Sequence, residues 1–320
     1  MLIRKGTIED IPAIVELLKS SLGEGLIQKS ERLWRWKHVE NPHGASPVLV
    51  AEEGGQVVGV RAFLRWQWIY KGQILQAVRA VDTATHPDYQ GRGIFKKLTL
   101  QGLVNAEEAG INLVYNTPNE SSKPGYLKMG WTEMGRMALK LKVSPFAYKR
   151  KAMPKSPPQD WHKLESLVSR FSNPILSIGR VQTLLSPAYI RWRYLENPIF
   201  DYYFLSDYQS YALFYRIKPH RFGLEMRVVD LIIDDKSFNE KAKSSLTASF
   251  KKISSSCFLT SASGKHYQLT SNAYPDMGWL PILDKGPIVT LRNVSLQEEM
   301  FNELSKQESW GYSLGDMELF

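Results

Sequence analysis

The stretch Val81-Asp-Thr-Ala-Thr-His-Pro-Asp-Tyr-Gln-Gly-Arg-Gly-Ile-Phe95 constrains this chain more than any other. A strand-like run stops at Pro87, passes through Gly91 and Gly93, and opens into a helical pattern. Such a turn points several backbone N–H groups at one spot, at the positive end of a helix dipole. The result is an anion site that a pyrophosphate fits. A glycine turn alone is a weak signal, and the residues that flank it make it stronger.

Length and composition set the frame. The 320 residues suit two domains of about 150. Hydrophobic residues make up 43% and charged residues 23%, an ordinary globular balance with enough apolar side chains for a core in each half. No run of about 18 apolar residues is present, so no transmembrane helix is expected. The charged start, Met1-Leu-Ile-Arg-Lys-Gly, lacks a signal-peptide core, and a cytoplasmic location is expected. The one cysteine, Cys257, excludes an internal disulfide and reads as a buried structural thiol in a strand-like segment. A net charge of +9 asks for an anionic partner without naming one. Lys149-Arg-Lys151 with Lys155 lies among Pro154, Pro157 and Pro158 and reads as a solvated linker, not as a nucleic-acid or membrane patch. The histidines show no metal-ligand spacing, so no metal is expected. The sequence leaves a homodimer open.

Periodicity gives the order of elements. A short strand at 2–5 precedes a helix that begins near Thr7-x-x-Asp10 and carries Ile11, Ile14, Leu17 and Leu18 at helical spacing. A second helix covers 30–39 and stops before Asn41-Pro42. Strands over 47–51, 57–70 and 74–85 join through short glycine-bearing turns. After the glycine turn a helix runs over 93–108, with Leu100, Leu103 and Val104 on one face. A buried strand at 111–115, a short helix at 121–129 and a last strand at 131–141 complete the order βααβββαβαβ.

Three places within residues 2–142 carry a resemblance to the GNAT superfamily of N-acetyltransferases. One is the opening Ile3-Arg4 with Asp10-Ile11. Another is Gln90-x-x-Gly93 after a strand ending in His86-Pro87. The third is Asn119, followed seven residues on by Tyr126-Leu-Lys-Met-Gly-Trp131. An internal repeat extends the reading. Trp36-Lys-His-Val-Glu-Asn-Pro42 returns as Trp192-Arg-Tyr-Leu-Glu-Asn-Pro198, and Arg79-Ala-Val-Asp82 returns as Arg227-Val-Val-Asp230, both about 150 residues later. The expected fold is α/β, an α+β mixed sheet in a tandem GNAT-like arrangement. A GNAT domain would cover 1–145, a basic proline-rich linker 146–159, and a degenerate GNAT-like domain 160–320. The second half has Asp230-Leu-Ile-Ile-Asp-Asp-Lys-Ser-Phe-Asn239 where the glycine loop would stand, so it is not expected to bind coenzyme A.

The resemblance also implies a chemistry. Gln90 and the backbone N–H groups of Gly91, Arg92, Gly93, Ile94 and Phe95 would hold the pyrophosphate of acetyl-CoA, with added charge from Arg92 or Lys96. Phe95 departs from the family pattern, which has a small residue there, so its bulk must point into the core. Thr83, Ala84 and Thr85 would pair with the pantetheine arm and polarise the thioester carbonyl. Asp82 is the candidate base; the alternative is a fixed ion pair with Arg79 or a neighbouring side chain. Glu40 and His38 are weaker candidates for the same task. Tyr126 would protonate the leaving thiolate, or else be a packing residue. Asn119 would tie the strand end or contact the pantetheine. Trp36 and Asn41 would border the acceptor cleft.

The expected function is acetyl transfer from acetyl-CoA to a primary amine of a small molecule, with amino sugars among the acceptors. A Fem-like aminoacyl transferase that uses aminoacyl-tRNA suits the basic charge, but the intact loop in the first half speaks against it. A coenzyme A-binding sensor without activity is the non-enzymatic alternative, and an intact Tyr126 speaks against that.

Overall fold

The computed structural model describes residues 1–23, 25, 27–172, 179–234, 236–263, 279–282 and 285–317. In chain order the first elements are β1 (Leu2–Lys5), α1 (Ile11–Leu22), α2 (Glu31–His38), β2 (Val48–Glu53), β3 (Gln56–Tyr70), β4 (Gln73–Thr85), α3 (Ile94–Glu108), β5 (Leu113–Asn116), α4 (Lys123–Lys128) and β6 (Thr132–Arg136). There follow β7 (Leu139–Val143), α5 (Trp161–Val168), β8 (Gln182–Thr183), α6 (Pro187–Ile190), β9 (Tyr203–Ser206), β10 (Tyr211–His220), β11 (Gly223–Ile233), α7 (Glu240–Ser254), β12 (Leu259–Ser263), β13 (Leu280–Ile282) and β14 (Ile288–Asn293). A helix over Glu298–Leu304 comes after β14.

Two compact units result. One comprises Met1–Trp68, Gln73–Gly135 and Ile288–Gln307, the other Ile69–Gly72, Arg136–Pro287 and Glu308–Phe320. This differs from the expected division at 145 and 160. The run 131–141, read from sequence as one strand, is two. β6 stays with the first sheet, while β7 pairs with β12 and β13 in the second. In return β14, from far down the chain, sits between β5 and β6 in the first sheet. The basic segment 146–159 therefore lies within the second unit and does not separate the two.

The first sheet runs β1-β2-β3-β4-β5-β14-β6. Strand alternation divides its core. Val50 packs with Ile11, Ile14, Leu18 and Trp34 on the α1 side, while its neighbours Leu49 and Ala51 pack with Ile94 and Leu98 of α3. α3 does not bury Leu100 and Val104, which are exposed. It buries Ile94, Leu98, Gly102 and Ala106, each four residues from the next. Gly102 is required there, because a Cβ would lie 2.9 Å from the ring of Phe63.

β4 and β5 are parallel, paired at Ala77↔Leu113, Val78↔Val114 and Arg79↔Tyr115. Past that last pair β4 runs on to Thr85, and among the described residues no strand pairs with this edge there. The second unit repeats the device. Its sheet runs β13-β7-β12-β11-β10-β9, and β11 pairs in parallel with β12 from Glu225↔Leu259 to Arg227↔Ser261. The repeated arginine, Arg79 or Arg227, thus marks the last parallel pair in each unit. Its core joins Leu213, Tyr215, Met226 and Val228 to Leu246, Phe250 and Ile253 of α7, with Cys257 fully buried. Burial pushes the Cys257 thiol up to about 11, which leaves it protonated and inert.

Candidate active site

Where β4 leaves β5, a cavity of about 790 Å³ opens in the first unit. Thr83, Ala84, Thr85, Gln90, Gly91, Gly93, Ile94, Phe95, Asn119 and Tyr126 all line it, together with Asp82 and Lys96. These positions span some 45 residues of sequence and line one cavity.

The α3 end of the cavity is built of unpaired donors. Gly91 and Gly93 take φ of +78° and +74°, the left-handed region that glycine enters at little cost. A Cβ at either position would meet nothing within 4 Å, so glycine serves conformation here and not space. The first backbone bond into the helix runs from the N–H of Lys97 to the carbonyl of Gly93. Among the described residues the N–H groups of residues 91–96 have no acceptor in the chain. Gly93 caps α3 without any side-chain bond. In the second unit α7 has the same length, but Asn239 caps it by accepting from the N–H of Ala242. α3 has no side-chain cap at all, whereas the cap of α7 takes up one of its first-turn amides.

The side chain of Arg92 turns away from the cavity. It lies over the ring of Tyr89 at 4.6 Å and 3.7 Å from Glu53. Lys96 is the loop cation that lines the cavity. Phe95 points beneath the loop, edge-on to Tyr126 at 5.4 Å between centroids. At the end of β4 the Thr85 carbonyl accepts from Ser21 Oγ at 3.0 Å and from Gln90 Nε2 at 3.4 Å.

Tyr126 sits on α4, a short helix whose approach is fixed by Asn119. Asn119 Oδ1 accepts from the N–H of Ser122 at 2.8 Å, and its carbonyl accepts from Lys123. The Tyr126 ring is 5% exposed, packed against Phe95 and Trp131. Its hydroxyl accepts from Arg61 Nη1 at 2.8 Å. Arg61 is not among the site residues expected from the sequence. An arginine in the middle of the otherwise apolar run Val57–Leu64 was the available signal, since arginine is rarely fully buried without a specific partner.

Asp82 is ion-paired with side chains of α2, and Arg79 is not its partner. Its carboxylate lies 2.5 Å from Lys37 Nζ and 2.9 Å from His38 Nε2, while Arg79 donates to Thr117 Oγ1. Burial pushes the Asp82 carboxyl up, but the charge of Lys37 and the bond and charge from His38 outweigh it and hold it well below the usual carboxylate range. Its backbone has φ +43°, a left-handed conformation within a strand, which stores strain at the cavity edge. The second unit contains the same link. Tyr194, the counterpart of His38 in the repeat, donates to Asp230 Oδ2 at 3.1 Å. The repeated motifs therefore meet in both units, and the helix-to-strand tie is common to them.

Trp36 and Asn41 do not line the cavity. Trp36 is 2% exposed, and Asn41 makes a turn in which its Oδ1 accepts from the N–H of His43 and its Nδ2 donates to the Arg65 carbonyl. Asn197 forms the same kind of turn in the second unit, accepting from Ile199 and Phe200. Glu40 is absent from the cavity lining, and His38 is buried with its Nδ1 on Ser46. Among the described residues no group of His, Cys, Asp or Glu is placed to hold a metal, and no helix is long and apolar enough to cross a membrane.

Residues 2–134 match the family model described as an acetyltransferase (GNAT) domain. This domain belongs to the GNAT acetyltransferases. The GNAT domain makes the chain an acyltransferase and implies an acyl-CoA donor and an acceptor. No match was found among curated proteins. Solved structures share the fold across nearly the whole chain. A GCN5-related N-acetyltransferase from Anabaena variabilis has a TM-score of 0.66 at 16% identity, over 92% of this chain and 73% of that one. A probable N-acyltransferase from Enterococcus faecalis has a TM-score of 0.66 at 13% identity, over 92% and 73%. N-myristoyltransferase from Saccharomyces cerevisiae, solved with bound myristoyl-CoA, has a TM-score of 0.53 at 10% identity, over 93% and 84%. These likenesses concern the fold, and the GNAT domain rests on the family match.

Proposed function

We propose that the GNAT domain moves an acetyl group from acetyl-CoA to a primary amine of a small molecule, with amino sugars the first acceptors to test. The observation that carries this reading is the row of open N–H groups at 91–96 beside the cavity that Tyr126 also lines. Bound acetyl-CoA supplies an acetyl group activated as a thioester. The amides of residues 91–96, with Lys96, hold its pyrophosphate at the positive end of the α3 dipole. The free edge of Thr83, Ala84 and Thr85 takes the pantetheine arm as a short added strand, and a backbone N–H on that edge polarises the thioester carbonyl. Asn119 holds the turn that carries Tyr126. Tyr126 gives its proton to the leaving thiolate.

Asp82 takes the ion-pair role, with Lys37 and His38 as its partners in place of Arg79. A carboxylate already stabilised by two donors is a poor acceptor for an ammonium proton. The acceptor amine then loses its proton to water in the cavity. In the second unit the corresponding helix α7 starts at a capping Asn239 and not at a glycine turn, and this unit binds no coenzyme A in this reading. The test is acetyl-CoA-dependent thiol release by the full chain with a panel of amines, amino sugars included. Release that depends on an amine, with an N-acetylated product by mass spectrometry, is expected. Absence of any product across the panel with bound acetyl-CoA would contradict it.

A further inference from the structure

We propose that Arg61 is a positioning residue for the proton that Tyr126 delivers. The inference rests on the reading of Tyr126 as the donor to the leaving thiolate. Arg61 is 1% exposed and lies under the cavity wall. Among the described residues no carboxylate pairs with it. Its partners are three hydroxyls and three rings. Nη1 donates to Thr83 Oγ1 at 2.6 Å and to Tyr126 Oη at 2.8 Å, and Nη2 donates to Thr99 Oγ1 at 2.5 Å. The guanidinium carbon lies 5.6, 5.0 and 5.3 Å from the ring centroids of Phe63, Phe95 and Tyr126.

A guanidinium can only donate, so each of these hydroxyls is forced to accept on the side facing Arg61. The Thr99 hydroxyl donates in turn to the Phe95 carbonyl at 2.7 Å, and the Thr83 hydroxyl donates to the Val81 carbonyl at 3.3 Å. Tyr126 is different. Among the described residues its proton has no acceptor, and the residue lines the cavity. The arrangement leaves one proton of the three aimed where a substrate would lie.

The buried charge has a matching consequence. A cation out of water without an anion is unfavourable, and ring faces compensate only in part. When Tyr126 gives up its proton, the O–H bond breaks, an S–H bond forms at the leaving thiolate, and the phenolate left behind is the missing anion for Arg61. Arg61 keeps all its protons. The proton that the acceptor amine sheds on becoming an amide restores the phenol through water.

The test compares full-length Arg61→Met, Arg61→Lys, Tyr126→Phe and the double variant Arg61→Met/Tyr126→Phe in acetyl-CoA turnover read by thiol release. If Arg61 acts through Tyr126, Arg61→Met lowers kcat by about 10- to 100-fold with KM for acetyl-CoA within about threefold of wild type. The double variant is then no slower than Tyr126→Phe within about threefold, because the two losses are one loss. Arg61→Lys, which retains the charge and a single donor nitrogen, recovers part of the rate. Losses that multiply in the double variant, or a raised KM at unchanged kcat, would overturn the proposal. So would failure of both Arg61→Met and Arg61→Lys to fold by circular dichroism, which would make Arg61 a residue of the fold alone. A Tyr126→Phe enzyme at wild-type rate would instead remove the underlying reading of Tyr126, whatever the Arg61 variants do.

Discussion

Replacing Gly93 by aspartate places a carboxylate at the proposed pyrophosphate site, and the structure lets the charge be separated from every other effect. Gly93 has φ +74°, and a Cβ there meets no atom within 4 Å, so the new side chain causes no clash. Aspartate and asparagine are the L-residues that tolerate this conformation best, and both are good helix caps. Gly93→Asn therefore carries the same backbone cost and the same shape as Gly93→Asp without the charge. A unit charge at about 4 Å from one negative charge of the phosphate costs about 4 kcal/mol at an effective dielectric near 20. This corresponds to roughly a thousandfold in Kd. Calorimetry of acetyl-CoA binding to the full-length variants at low salt measures it, with thermal melts as a control for folding. Gly93→Asp should melt no lower than Gly93→Asn yet bind about a thousandfold more weakly, and added salt should narrow the gap. Equal affinity of the two variants within about threefold would refute the placement of the phosphate.

Other outcomes follow from the same geometry. Tyr126→Phe should lower turnover by about 10- to 1000-fold while calorimetry finds acetyl-CoA affinity nearly unchanged, because the ring remains and one proton is lost. His43 is buried, and burial lowers it to about 4 despite its bond to Gln67. The unfolded chain takes up this proton first as pH falls below about 6.5, so the contribution is intact above that pH and is lost towards pH 4. Urea unfolding at pH 7 and pH 4.5 should show His43→Phe escaping about 2–3 kcal/mol of acid destabilisation that the wild type suffers. A chain truncated at residue 145 lacks β14 and leaves β5 and β6 without their shared neighbour. It should aggregate or fail to show cooperative unfolding, as followed by circular dichroism and light scattering, whereas a chain that retains residues 1–320 does not.

Much of the site was legible because its signals are local. Pro87, Gly91 and Gly93 fix a turn within a few residues, and Asn119 to Tyr126 sets a helix start and the face that follows it. The observed order of the first ten elements is the order expected, since strand and helix periods differ along each of them. The strand exchange was not legible. β7 shows no buried face along its five residues, and nothing in the pattern of β14 states which sheet it joins. Asp82 shows the same limit. Its carboxylate offers itself equally to Arg79 three residues away and to Lys37 and His38, and only the packing of α2 against β4 decides. The face of α3 was misread because Leu100 and Val104 look more apolar than Thr99 and Gly102, while the close approach of Phe63 selects the small residues for the interior. The repeat was legible as a duplication, and the contact it conserves, a helix side chain on a strand aspartate, emerged only in three dimensions.

A crystal structure of the full chain with coenzyme A tests the central claim most directly. The account predicts one bound molecule, its pyrophosphate on the N–H groups of residues 91–96, its pantetheine along Thr83, Ala84 and Thr85, and its sulfur within hydrogen-bond reach of the Tyr126 hydroxyl. A pyrophosphate bound away from the α3 end, or a sulfur out of reach of Tyr126, would contradict it.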